Sequence, residues 1–265
     1  MPRAYQAVVV ITIALAVFVA VTTLSAADPW TGTITGAHPV QNAMSNFTGN
    51  DTSAPLIDKK SPGRIETATF GLGCFWCPDG VFGTLPGVIR TRVGYAGGTK
   101  ANPTYHSLGN HTETIQVDFD PRRITYAELL DVFWRNHSPT QRPWSRQYRS
   151  IVLYENDAQK QATLESRERW QSKSGKKLYT VIEPLDRFYR AEDYHQKYNL
   201  QKDAALMAEL RAMFPNFGAF VDSTAVARLN GYVSGDGKRE VLLREINDYG
   251  LSVGARQRLR AAVKR

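Results

Sequence analysis

The chain has 265 residues, 42% of them hydrophobic and 22% charged, which excludes a chain too polar to build a core and leaves room for one good-sized domain with extensions. Much of its net charge of +8 lies in residues 238–265, where eight Lys or Arg against three acids leave +5. No nucleic-acid-binding motif accompanies this charge, so we interpret it as a solvated helical face and expect no nucleic-acid partner.

The N-terminus has the layout of a secretory signal. Arg3 precedes an uncharged apolar run over residues 7–21, and small residues follow at 25–27. The run is short for a membrane span of about 20 residues. We therefore predict a signal peptide over residues 1–27, which directs the chain to the secretory pathway or to an extracellular or periplasmic space. An uncleaved membrane anchor is the alternative.

Residues 28–63 are rich in Gly, Thr, Ser, Asn and Pro and show no periodicity. This composition predicts a flexible linker, with ordered structure beginning near Arg64. The linker contains glycosylation triplets at Asn46 and Asn50.

Strand and helix patterns alternate after the linker. The segment "IETATFGLG" favours a strand, and "CFWCPDGVFGTL" favours a helix with Pro78 in its first turn, where a missing N–H costs little. "GVIRTRVGYAGG" is typical of a strand that ends in a glycine turn. In "HTETIQVDFDP" polar residues alternate with Glu113, Ile115, Val117 and Phe119, so Glu113 shares the predicted core face of this strand.

The pattern continues to residue 200. "TYAELLDVFWRNH" predicts a helix capped by Thr125, and "DAQKQATLESRERWQSK" predicts one capped by Asp157. "RSIVLYEN" and "KLYTVIEP" favour strands, and "AEDYHQKYNL" favours a helix. We therefore predict an α+β domain over residues 64–200, with a mixed sheet flanked by helices, followed by a helical C-terminal extension over residues 201–265.

Cys74 and Cys77 are the only cysteines of the chain and stand three positions apart. Cys74 follows a strand and a glycine turn, so it lies at a predicted helix N-terminus. Free N–H groups and the positive end of the helix dipole stabilise a thiolate there and lower its pKa. Cys74 is therefore the predicted nucleophile. Cys77 falls on the same side of the helix, a spacing that suits a reversible disulfide or half of a metal site.

Three interpretations of the cysteine pair compete. A structural disulfide that closes so short a loop would remove little entropy from the unfolded chain. A zinc site needs more ligands, and the chain has no second CxxC and no finger-like spacing of His. A redox pair, thioredoxin-like in one version, is the best supported. The bulky Phe75 and Trp76 between the thiols indicate an apolar wall beside a pocket for a small apolar group.

The segment "GCFW" after a strand, with an acid at Asp79, resembles the peptide-methionine (S)-S-oxide reductase family. The similarity continues in the family's order over about residues 66–198. The further matching segments are "LPGVIRTRVGYAGG", "NPTYHSLGNHTETIQVDFDP", "LLDVFWRNHSPT", "QYRS" and "FYRAEDYHQKY".

The resemblance implies a reaction that needs a thiolate and an acid. A sulfoxide sulfur is attacked only if its oxygen is protonated as the new bond forms. An apolar site would raise the pKa of Glu113 enough to hold a proton near neutrality, and Asp79 is the next candidate. The roles implied are Cys74 as nucleophile, Phe75 and Trp76 as the pocket for the substrate methyl, Glu113 as the acid, and Tyr105 and Tyr148 as hydrogen-bond donors to the oxygen.

Three departures from the family pattern matter. Residues Cys77, Pro78 and Asp79 replace the family's Gly-Val-Glu. The segment "NHSPTQRPWSRQYRS" is shorter than the family's loop and has no counterpart of its aspartate, and the C-terminal region lacks the resolving cysteines of many members. A sulfenic acid on Cys74 condenses with a nearby thiol, so Cys77 is the predicted resolving cysteine, and thioredoxin or another dithiol would reopen the disulfide.

We therefore expect a ferredoxin-like α+β reductase of methionine (S)-S-oxide in oxidised proteins or peptides, with no metal or organic cofactor. Two alternatives remain open. One is a general CxxC thiol–disulfide oxidoreductase, and the other is a non-catalytic module that binds methionine sulfoxide or proteins, which the missing loop aspartate favours. A further glycosylation triplet at Asn110 is expected to be unoccupied, because a glycan there would crowd Glu113.

Overall fold

The computed structural model describes residues 54–60, 62–214 and 216–263. The predicted signal peptide over residues 1–27 and most of the predicted linker lie outside these ranges. Within the described ranges, no helix is both long and apolar enough to cross a membrane.

Six strands form one mixed sheet in the described chain. They are β1 (Glu66–Leu72), β2 (Val88–Ala96), β3 (Thr112–Phe119), β4 (Ser150–Tyr154), β5 (Val181–Pro184) and β6 (Phe188–Arg190). Their order across the sheet is β5-β4-β1-β3-β2-β6. Strands β4 and β5 are parallel, and the other neighbouring pairs are antiparallel. The predicted α+β class with a mixed sheet is confirmed.

Helices flank the sheet, and those after residue 200 are short, as predicted. The expected helix in "AEDYHQKYNL" is instead a 3₁₀ turn and a four-residue helix, because Lys197 between them adopts the left-handed φ of 52°. The helices are α1 (Leu56–Lys59), α2 (Trp76–Gly83), α3 (Tyr126–Arg135), α4 (Asp157–Ser174), α5 (Tyr198–Gln201), α6 (Ala204–Met213), α7 (Phe217–Val221), α8 (Thr224–Ser234), α9 (Arg239–Glu245) and α10 (Val253–Ala262), with 3₁₀ turns at Asp193–His195 and Ile246–Asp248.

The main hydrophobic core lies between the sheet and the helices α2, α3 and α4. It brings Phe82 of α2 and Phe133 of α3 against Phe70 of β1 and Ile115 of β3. Ile115, Val117 and Phe119 are fully buried, which confirms the core face predicted from the alternation in β3. Glu113, two positions before Ile115, therefore shares the face of the sheet that carries α2.

Both helices with a predicted N-cap are capped by a side chain at their N-terminus, but one cap lies one residue earlier than predicted. Thr125 caps α3 in a reciprocal capping box with Glu128. The cap of α4 is Asn156 and not Asp157, because the extended backbone of Asn156 lets its Oδ1 accept a hydrogen bond from the N–H of Gln159 at 3.0 Å. Asp157 is the first helical residue, where its charge complements the helix dipole.

Ordered structure begins earlier than the expected boundary at Arg64. Helix α1 lies within the predicted linker, and its Asp58 accepts hydrogen bonds from the Ser223 hydroxyl at 2.7 Å and the Ala225 N–H at 3.1 Å. Asp58 therefore helps to cap α8 from a segment far away in the sequence. The linker prediction is wrong for this stretch, because a single short helix can be held by its contacts rather than by its own propensity.

Helix α8 packs closely on α2, the helix that carries the cysteine pair. A side chain at Gly83 would collide with the carbonyl group of Ala227, so the glycine permits the close approach. Arg228 donates hydrogen bonds to the carbonyl oxygens of Gly83 and Val88 and pairs with Glu245 at 3.0 Å. The C-terminal helices are thus part of the support of α2.

Candidate active site

The two cysteines lie at the turn that joins β1 to α2. Gly73 adopts a φ of 98°, which reverses the chain, and Phe75 occupies the N-cap of α2. Cys74 therefore precedes the first helical turn, and Cys77 lies within it. Both thiols are free and both residues are exposed, so the site is open to solvent.

The pKa of Cys74 differs in direction from the sequence expectation. Although Cys74 keeps exposed surface, partial burial raises the pKa of its thiol to about 11. The N–H groups of Trp76 and Cys77 at the start of α2 oppose this shift, and the negative charge of Glu113 adds to it. The helix terminus thus acts as predicted, but desolvation and a neighbouring carboxylate outweigh it.

Glu113 lies directly beside the turn that carries Cys74. The Phe75 N–H donates a hydrogen bond to its Oε2 at 3.2 Å, and Gln147 Nε2 donates to its Oε1 at 2.8 Å. Burial raises the pKa of this carboxyl group even though these two donors stabilise its ionised form. Glu113 is only 2% exposed, so the predicted placement in an apolar face is realised.

The two predicted tyrosines converge on the same point. The Tyr148 hydroxyl interacts with Tyr105, and burial, this interaction and the nearby charges of Glu113 and Cys74 raise the pKa of Tyr148. Gln147 Nε2 also donates to the Tyr148 hydroxyl at 3.2 Å. Cys74, Glu113, Tyr105 and Tyr148 therefore form one cluster, with hydroxyl donors and a carboxyl group next to a thiol.

Glu192 fixes the position of the loop that carries Tyr105. It accepts the Tyr105 N–H at 2.9 Å and the Tyr95 hydroxyl at 2.7 Å. Our sequence reasoning missed both Glu192 and Gln147. Their only signal was membership of the matching segments "AEDYHQKY" and "QYRS", because nothing in their local pattern shows that they contact residues of the cluster.

The two aromatic residues between the cysteines, Phe75 and Trp76, have different surroundings. Phe75 is 1% exposed and packs against Tyr95 and His195, and its backbone N–H donates to Glu113. Trp76 is half-buried and stacks on Tyr198 with ring centroids 3.7 Å apart. Trp76 therefore offers an apolar surface in the first turn of α2, and the role of Phe75 and Trp76 as the pocket for the substrate methyl stays a prediction.

Asp79, the second candidate acid, belongs to a buried ion pair. Lys197 Nζ lies 2.8 Å from its Oδ1, and the Thr91 hydroxyl, the Lys197 N–H and Asn230 Nδ2 donate to its two oxygens. Asp79 is 1% exposed and Lys197 is fully buried. Because the carboxylate is occupied by a cation and three other donors, Asp79 is not available to protonate a substrate.

Two of the histidines have structural contacts. The ring of His111 bonds the Gly98 N–H and the Lys100 carbonyl, and the ring of His137 bonds the Phe133 carbonyl and the Thr180 hydroxyl. Buried His195 instead lies among the rings of the site, and its burial lowers its pKa to about 4. In the part of the chain that the structure describes, no group of three or more His, Cys, Asp or Glu is arranged to hold a metal.

Fold and site together define a thiol-dependent oxidoreductase, in which a helix-terminal cysteine lies beside a buried carboxyl group and two tyrosine hydroxyls. The sequence profile of the peptide methionine sulfoxide reductase family matches residues 66–216. The chain belongs to this family.

Individual relatives agree with the profile. A peptide methionine sulfoxide reductase of Drosophila melanogaster is 42% identical over 193 residues, which cover 72% of this chain and 77% of the relative. MsrA of Methanothermobacter thermautotrophicus is 47% identical over 51% of this chain and 86% of the relative. The crystal structure of reduced Mxr1 from Saccharomyces cerevisiae aligns with a TM-score of 0.50 at 33% identity, over 54% of this chain and 88% of that one.

Proposed function

We propose that the protein reduces the (S)-epimer of methionine sulfoxide in peptides and proteins, with Cys74 as the nucleophile and Glu113 as the acid. The observation that carries this proposal is the position of Glu113, which is held beside the Cys74 turn by the Phe75 N–H and has a raised pKa. A buried carboxyl group next to a thiol supplies the proton that sulfoxide reduction requires.

The first step follows from these two groups. Thiol and carboxylate share one proton, and its transfer to Glu113 leaves a thiolate beside a carboxylic acid. The Cys74 thiolate attacks the sulfoxide sulfur while Glu113 protonates the oxygen, with Tyr105 and Tyr148 as hydrogen-bond donors to that oxygen. The protonated oxygen then passes from the substrate sulfur to the Cys74 sulfur as the bond between the two sulfurs breaks. Methionine leaves reduced, and Cys74 is oxidised to a sulfenic acid whose hydroxyl carries the substrate oxygen and the shared proton.

The second half of the cycle restores the thiol. Cys77 in the first turn of α2 attacks the sulfenic acid, which forms a Cys74–Cys77 disulfide and releases water. Thioredoxin or another dithiol then reduces this disulfide by thiol–disulfide exchange, so no bound cofactor takes part. Support for Cys77 comes from its three-residue spacing and its exposure.

Membership of the peptide methionine sulfoxide reductase family disfavours the alternative of a general thiol–disulfide oxidoreductase, and the raised pKa of Cys74 agrees with this. Such enzymes need a substantial thiolate fraction near neutrality, and a thiol with a pKa of about 11 is protonated there. In the proposed reaction the thiolate forms only when Glu113 takes up the proton. Thiolate formation is thereby coupled to the availability of the acid.

We further infer a ferredoxin-like core and an extracytoplasmic location. The order β4-β1-β3-β2 with antiparallel neighbours, and with α2 after β1 and α3 after β3, supports the βαββαβ arrangement of that fold. The N-terminal signal pattern over residues 1–27 supports entry into a secretory or periplasmic space, and membrane association would require that the signal stays uncleaved.

A turnover assay with dithiothreitol tests the proposal. The separated (S) and (R) epimers of N-acetyl-methionine sulfoxide are supplied, and methionine formation is measured by chromatography. We expect consumption of the (S) epimer only. Equal use of both epimers, or binding without turnover, would contradict the proposal. Reduction of insulin disulfides at a comparable rate would instead favour the general oxidoreductase.

A further inference from the structure

Trp144 is the most exposed large hydrophobic side chain among the described residues, at 82%, and it lies beside the candidate active site. Its ring centroid is 4.9 Å from that of Tyr148 at an angle of 32°. Tyr148 is itself part of the site, because Gln147 Nε2 donates both to its hydroxyl at 3.2 Å and to Glu113 at 2.8 Å. The indole therefore extends the aromatic surface of the site outward into solvent.

The loop that carries Trp144 is held by hydrogen bonds at both ends. The Tyr179 N–H donates to the Pro139 carbonyl at 2.7 Å, and the Thr112 hydroxyl donates to the Arg146 carbonyl at 3.0 Å. Arg146 donates from Nε to the Asn110 carbonyl at 2.6 Å. An anchored loop presents the indole at small cost in conformational entropy, which is the condition for a binding platform.

Two arginines flank Trp144 in the sequence, each two positions away. Arg142 and Arg146 are both exposed, and the guanidinium of Arg146 donates to the carbonyls of Asn110 and Gly97, which carry no charge. Among the described residues, neither arginine forms an ion pair with a carboxylate. Their positive charge is thus available to a ligand.

We propose that Trp144, with Arg142 and Arg146, forms a docking surface for the residues next to methionine sulfoxide in acidic substrate peptides. An extended peptide advances about 3.3–3.6 Å per residue. A peptide whose sulfoxide oxygen meets Tyr105 and Tyr148 therefore brings its first or second neighbour over the indole. The ring takes the apolar part of the peptide, and the arginines attract carboxylates. This inference rests on the proposed function for the position of the sulfoxide.

The test compares three substrates with dithiothreitol as the reductant, so that no protein reductant has to dock. They are N-acetyl-methionine (S)-sulfoxide, a pentapeptide with the sulfoxide between aspartates, and the same peptide with lysines. Trp144→Ala is expected to raise the KM of the acidic peptide about three- to tenfold, more than that of the single-residue substrate. Arg142→Glu is expected to raise the KM of the acidic peptide and to lower the KM of the basic one. Added salt is expected to reduce this difference between the two KM values.

Leu243→Ala is the matched control, since Leu243 is an exposed apolar side chain on α9, 44% exposed, and its loss is expected to leave the ratio between substrates unchanged. An equal increase in the KM of all three substrates with Trp144→Ala would overturn the docking surface. So would a changed KM for thioredoxin in the coupled assay without any change for peptides, because the surface would then serve the reductant.

Direct binding separates this inference from the proposed function. Fluorescence anisotropy of a labelled acidic peptide is measured with Cys74→Ser, which cannot turn over, with and without Trp144→Ala. If the unsubstituted protein fails to reduce N-acetyl-methionine sulfoxide, the proposed function fails. The anisotropy measurement still shows whether the acidic peptide binds at the Trp144 surface. Weaker binding of the acidic peptide to the double variant supports the surface, and equal binding to both proteins contradicts it.

Discussion

Gln147 forms two hydrogen bonds with Glu113, one through its backbone and one through its side chain. Its backbone carbonyl accepts the Glu113 N–H at 2.8 Å, and its side-chain Nε2 donates to Glu113 Oε1 at 2.8 Å. The same Nε2 also reaches the Tyr148 hydroxyl at 3.2 Å. Gln147 therefore links the carboxyl group and a tyrosine of the site through one side-chain amide.

Gln147→Ala is expected to raise the pKa of Glu113 further. The lost hydrogen bond stabilises the ionised carboxylate, so its removal favours the protonated form. The acidic limb of the single-turnover pH profile should therefore move to higher pH. Gln161→Ala is the control, because Gln161 donates to Glu165 on the exposed surface of α4. An unshifted limb with Gln147→Ala would show that Gln147 does not set the pKa of Glu113.

Glu113→Gln is expected to slow methionine formation in a single turnover by about 10²–10⁴-fold, the usual loss for a general acid. The same change should lower the pKa of Cys74 below about 11, because the carboxylate charge helps to raise it. Alkylation of Cys74 by iodoacetamide as a function of pH measures this pKa. A slower reductase step together with a more reactive thiol would separate loss of the acid from damage to the nucleophile.

The native pair should give a broad pH profile for the first step. Thiol and carboxyl hold one proton between them above the raised pKa of Glu113 and below the Cys74 pKa of about 11. The reactive arrangement is a constant fraction of that state, so the rate is expected to rise through the Glu113 pKa and then stay level into alkaline solution. Rapid-quench measurements in overlapping buffers test this. A rate that climbs tenfold per pH unit throughout would show that Glu113 does not share the proton.

Cys77→Ser is expected to keep the first step and to lose turnover with thioredoxin, which needs a disulfide to attack. One methionine per enzyme should form, and Cys74 should remain as a sulfenic acid that dimedone traps. Mass spectrometry of the trapped enzyme and thioredoxin-coupled turnover are the two measurements. Unchanged thioredoxin-supported turnover would assign Cys77 to packing alone.

Lys197→Met is expected to destabilise the fold by about 3–5 kcal/mol, because it leaves Asp79 buried without its cation. Replacing both partners, with Asp79→Leu and Lys197→Met, should recover part of this loss. Lys60→Met is the control, since Lys60 pairs with Asp248 at the surface and should contribute at most about 1 kcal/mol. Urea unfolding gives the free energies, and equal effects of Lys197→Met and Lys60→Met would contradict the role of the buried pair.

The sequence by itself determined the local elements and the chemistry of the cysteine turn. The alternation in β3 placed Glu113 on the core face, and the glycine turn before α2 placed Cys74 at a helix terminus. These features follow from side-chain periodicity and from backbone preferences over a few residues, which are readable without tertiary structure. The family motifs added the two tyrosines.

Only the tertiary structure decided the contacts between distant segments and the pKa values that depend on them. Gln147 meets Glu113 across 34 positions, and Lys197 meets Asp79 across 118. The helix terminus alone predicted a lowered pKa for Cys74, but packing removes water and brings the Glu113 charge close, so the pKa is raised. Desolvation and Coulomb interactions depend on distance in space, and the sequence specifies those distances only through the complete fold.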